Sequence, residues 1–99
     1  MDVLTEKNDM ETNAEKGAKL LDVRCPGWAW EVNILELDMA DIFKCVLGQL
    51  YGTWDLGLTA LGIPGDSEVH GFNLGDLSYV HTYEELDDVW VELILARRS

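Results

Sequence analysis

The stretch "TYEELDDVWVELILARRS", residues 82–99, decides how the rest of the chain is read. Thr82 and Glu85 stand at capping-box spacing, where each side chain satisfies a backbone N–H that the first helical turn leaves open. At 100° per residue Leu86, Val89, Trp90 and Leu93 share one arc, with Ile94 at its edge. Glu84, Glu85, Asp87, Asp88 and Glu92 fill most of the opposite arc. Acids in the first turn and Arg97 and Arg98 in the last complement the helix dipole. An amphipathic C-terminal helix is predicted. Its period splits the crowded acids, so they do not converge on one point as a general acid–base pair must. Val91 and Leu95 fall among the acids rather than in the core stripe. Together they would make an apolar centre rimmed by carboxylates, which is interface anatomy.

Further back, "DIFKCVLGQLYG" (41–52) repeats Ile42, Phe43, Val46, Leu47 and Leu50 at threes and fours, with Asp41 placed to cap and Gly52 to stop. Thr53 can cap a short second helix, with Trp54, Leu58 and Leu61 inward and Gly62 and Pro64 beyond its end. Two helices joined this tightly form a helical hairpin. Helical character also begins near Asn13, where Ala14, Ala18, Leu21 and Cys25 share a face until Pro26–Gly27. Residues 1–12 read as a flexible polar tail, and residues 13–99 as a single acidic globular domain. The expected fold is mainly α, a small single-domain helical bundle with room for one short β-hairpin around Phe72–Leu74. The rival is α+β, with residues 31–39 and 69–75 pairing as strands.

Charge is the strongest feature of the composition. Nineteen acids face seven bases, for a net charge of −12. Thirteen of those acids lie between Arg24 and Arg97 with Lys44 as the one lysine or arginine, and from Val46 to Ala96 there is no lysine or arginine at all. Such a domain repels itself, at a cost to stability. Direct nucleic-acid binding is disfavoured, because phosphate contacts dominate that affinity, and so are anionic membrane surfaces. There is no run of about 18 apolar residues to span a membrane. The N-terminus lacks the basic-then-apolar order of a signal peptide, so a cytoplasmic location is expected.

Cys25, Cys45, His70 and His81 lack the short paired steps of structural zinc sites. No metal or other cofactor is expected, and the cysteines are read as reduced thiols. The glycines spell no phosphate loop, and no constellation meets the geometry of catalysis, so the chain is read as a non-enzyme.

"GAKLLD", "PGW", "CVLGQLYG", "GLTALGI" and "HGF", in that order from Gly17 to Phe72, resemble a group of uncharacterised small acidic proteins encoded by actinobacterial phages and prophages. Members often carry a second cysteine two positions before the one matching Cys45, where this chain has Phe43. The resemblance carries no activity. What it implies is provenance, a phage accessory protein in the cytoplasm of an infected or lysogenic host, where short proteins commonly bind host machinery. The expected function is binding a host protein with a basic surface, such as a nuclease, as nucleic-acid-mimicking inhibitors of restriction or CRISPR enzymes do. The expected contact residues are Glu84, Glu85, Asp87, Asp88 and Glu92 around Val91 and Leu95, extended by Asp66, Glu68 and Asp76. The alternative is a regulatory adaptor, antitoxin-like or self-associating, with Val91 and Leu95 as a homodimer seam.

Overall fold

The computed structural model describes the backbone of residues 3–99 and the side chains from Asp9 onward. Among the described residues five helices follow in order: α1 (Val3–Arg24), α2 (Trp28–Glu31), α3 (Val46–Tyr51), α4 (Trp54–Leu61) and α5 (Tyr83–Arg98). Three 3-10 turns, Ile34–Glu36, Glu68–His70 and Gly75–Tyr79, complete the regular structure, and no strand occurs among the described residues. The mainly α expectation is met, and neither the hairpin nor the α+β alternative is.

Both would-be strands have their backbone groups engaged elsewhere. Around Asn33 the Gln49 side chain does this, its Oε1 accepting from Asn33 N (2.7 Å) and its Nε2 donating to Asn33 O (3.2 Å). Residues 69–75 instead press onto α1. At Gly71, φ is +72°, and an added Cβ would sit 2.3 Å from Ala14 Cα. Only a residue without a side chain makes both that conformation and that approach. The small residues Ala14 and Ala18 of α1 are fully buried, which lets this loop come close.

Trp90 is the centre of the core. Its ring stacks on Phe72 (5.3 Å between centroids) and meets Trp28 edge-on at 5.8 Å. Its indole N–H donates to the Gly71 carbonyl at 2.8 Å, satisfying a polar group buried with it. The Thr82–Glu85 capping box forms as expected. On α5 the fully buried residues are Leu86, Trp90 and Ile94, with Val89 and Leu93 partly covered. The inward face is therefore turned about 50° from the expected arc, towards Ile94.

Two expected boundaries move. Residues 9–12, assigned to the tail, are helical, and Met10 is buried against the core; residues 1 and 2 lie outside the described residues. The first helix of the hairpin starts at Val46 rather than after Asp41. Asp41 caps a turn instead, its Oδ1 accepting from Phe43 N (2.7 Å) and Lys44 N (3.1 Å). The turn is held by Trp54 N donating to Ile42 O (2.9 Å), which leaves Ile42 and Phe43 exposed. Cys45 becomes the cap of α3, its sulfur accepting from Gly48 N at 3.2 Å. The α3–α4 hairpin itself forms with Thr53 as cap. It closes tightly because Gly57 faces Leu47, where an added Cβ would lie 2.6 Å from the Leu47 Cβ.

Candidate functional site

Helices α1 and α5 lie side by side and run parallel. Glu11 shares a groove with Glu85, Asp88 and Glu92. Glu15 shares its continuation with Glu92, Leu93 and Ala96. Further along, Asp22 of α1 meets Arg97 of α5. Residue numbers thus rise together along the contact. The first section of groove encloses about 230 Å³, with Met10 and Val89 as its apolar lining.

Five carboxylates from two helices border this cleft, Glu11, Glu15, Glu85, Asp88 and Glu92. Two are committed locally. Glu85 closes the capping box and bonds the buried His81 through Nδ1 at 3.0 Å, which holds its carboxyl below the usual range. Glu15 pairs with Lys19 at 3.4 Å across an exposed helical turn, a contact worth little. Among the described residues, no base pairs with Glu11, Asp88 or Glu92.

The two arginines of α5 are spent at the far end. Arg97 grips Asp22 with two N–H groups (2.9 and 3.0 Å) and stacks over Trp28 at 5.7 Å. Trp28 Nε1 donates to the same Asp22 carboxylate at 2.8 Å. That guanidinium hydrogen bond holds the Asp22 carboxyl below its ordinary value. Arg98 donates to the Ala29 and Val32 carbonyls and lies over Trp30. Both cations fasten α5 to α1 and α2, and neither reaches the carboxylates lining the groove.

The other expected contact residues part company. Glu84 is exposed near the start of α5. Asp87 turns away from the groove and accepts from Met39 N at 2.7 Å. Burial pushes its carboxyl above the usual range, with Asp38, Asp88 and Glu84 adding to the rise. Val91 lies on the same strip of α5 as Asp87 and Arg98, whose partners are Met39, Ala29 and Val32, and is half-buried. It lines neither section of the groove, whereas Val89 lines both. Leu95 is exposed, by 52%. Asp66, Glu68 and Asp76 line neither section of the groove. Glu68 instead accepts from Asp76 N at 3.1 Å and ties two 3-10 turns together.

Glu11, Glu15 and Val89 were missing from the expected site. The signal for the first two was present: Glu11 and Glu15 each follow a core position, Met10 and Ala14, one helical turn apart. Reading the helix back past Asn13 would have found them.

Among the described residues, no group of three or more His, Cys, Asp or Glu side chains is placed to hold a metal ion. Cys25 and Cys45 are free thiols, and burial raises the pKa of Cys45. No helix among the described residues is long and apolar enough to cross a membrane. What the groove offers chemically is a row of hydrogen-bond acceptors with negative charge and an apolar base, suited to lysine and arginine side chains. Comparison with protein-family models, curated proteins and solved structures finds no match to this chain.

Proposed function

We propose that this protein is a non-enzymatic binder of a basic host protein, and that the acidic α1–α5 groove is its contact surface. In this reading the carboxylates occupy a channel that otherwise holds nucleic-acid phosphates, inhibiting a host defence or nucleic-acid-processing enzyme. The observation that carries it is the convergence of Glu11, Glu15, Glu85, Asp88 and Glu92 on one cleft, away from both arginines of α5. Glu85 serves the capping box, but the crowding of Asp88 and Glu92 beside it costs the fold stability, since like charges at helical spacing destabilise. A positively charged cleft on a partner gains both faster association and discrimination. The resemblance of Gly17–Phe72 to phage and prophage proteins is part of this same reading, and the host target follows from it.

The test is capture from a host lysate by tagged wild-type protein and by the Asp88→Lys, Glu92→Lys double variant, followed by a nucleic-acid binding assay on the captured protein. The reading expects a partner whose nucleic-acid binding the wild-type chain inhibits, capture that falls steeply with salt, and loss of both in the variant. Equal capture by the variant eliminates the groove as the contact surface.

A further inference from the structure

A second concavity lies apart from the groove, beside α4 and the start of α5, and encloses about 200 Å³. Buried Met39 and Phe72 line it, together with half-buried Trp54 and Tyr83. Ile42, 51% exposed, and Asp41, Ala40 and Asn73 complete the lining. Small-molecule sites commonly enclose about 300–1,000 Å³, so this pocket suits a single side chain better than a whole ligand.

Its electrostatic setting selects the kind of side chain. Asp41 lines the pocket, and two further carboxylates hold its backbone: Asp87 accepts from Met39 N (2.7 Å) and Asp38 from Ala40 N (3.0 Å). Lys44 is the one base in this stretch, and its side chain is exposed. An acidic side chain would be repelled here, and a purely aliphatic one would make no use of the Asp41 carboxylate, of which only Oδ1 serves the turn it caps. Arginine answers both, because its methylene stem packs on apolar walls while its planar guanidinium stacks on aromatic rings and meets carboxylates. The geometry points to a socket for one arginine side chain of the basic partner. This rests on the binding reading above and adds an anchor outside the groove, of the kind that dominates interface energetics.

Titrating the isotope-labelled full chain with Nα-acetyl-arginine amide, and separately with Nα-acetyl-norleucine amide at equal ionic strength, tests it by NMR. The expected result is saturable shifts of the Trp54 indole N–H and the Asn73 side-chain amide. Arginine should bind about two- to fivefold tighter than norleucine, the ratio a solvent-facing cation–π contact gives. Ile42→Lys, at an exposed position, should abolish the preference by placing a tethered cation at the mouth. Equal binding of the two probes, or no shift at Trp54 with either, overturns the proposal. The Asp88→Lys, Glu92→Lys protein should bind the arginine probe as the wild type does. A failed socket therefore leaves the groove untouched, and a failed groove leaves the socket measurable.

Discussion

Replacing Asp88 by Asn and Glu92 by Gln together should make this protein more stable. Asp88 has acidic neighbours at i−4, i−3 and i+4 on α5: Glu84, Glu85 and Glu92. Glu92 also lines the groove with Glu11 and Glu15 of the parallel α1. The double change removes three like-charge pairs at helical spacing, each worth roughly 0.2–0.5 kcal/mol, and the repulsion of Glu92 by Glu11 and Glu15 across the groove adds to them. Asn and Gln match Asp and Glu closely in helix propensity, so little is lost in exchange. The expected gain is about 1.5 kcal/mol, or roughly 6–12 °C in Tm for a domain of this size. Urea and thermal unfolding at low ionic strength measure it directly. In 1 M salt the screening length falls to about 3 Å, and most of the gain should vanish. Asp66→Asn, exposed and outside the groove, serves as the control with little effect. A double variant less stable than the parent, or a gain that persists undiminished in 1 M salt, would refute the uncompensated-charge account of the groove.

Three further outcomes follow from the packing. Arg97→Lys keeps a charge but loses the two-pronged grip on Asp22 and the stacking on Trp28, and should cost about 1 kcal/mol in urea unfolding at neutral pH. Because Arg97 lowers the Asp22 pKa, that contribution is present above the unfolded value and is lost as pH falls through the folded one, so the cost should shrink in acid. Asp87 has the opposite sign: its pKa is raised, so ionisation opposes folding as pH rises through the folded value. Asp87→Asn keeps an acceptor for Met39 N and should stabilise at pH 7 while gaining nothing at a pH low enough to protonate the native carboxyl, as paired urea titrations would show. Gly57→Ala drives a methyl into Leu47 and should cost about 2 kcal/mol by thermal unfolding, whereas Gly65→Ala meets nothing within 4 Å and should be tolerated.

What could be read in the sequence was what local chemistry settles. The Thr82–Glu85 box, the Thr53 cap and the α3–α4 hairpin each depend on residues a few positions apart, and each forms. Asp41 misled because its capping chemistry is real but serves a turn. The choice between turn and helix is made by Trp54 N reaching back to Ile42 O, a contact no local pattern announces. The same limit applies to the site. The acids of α5 were legible from the helix period, and which of them line the groove was not. The docking of α1 along one flank of α5 joins Glu11 and Glu15 to Glu85, Asp88 and Glu92. Along the other flank Asp87 accepts from Met39 N and Arg98 donates to Ala29 O, and Val91 on the same strip is half-buried.

Hydrogen–deuterium exchange of the chain, alone and bound to its captured partner, tests the central claim most directly. The account expects slowed exchange along α5 from Glu85 to Ala96 and along the facing turns of α1 from Glu11 to Lys19. Slowing confined to other surfaces, with both of those segments exchanging as in the free protein, would contradict it.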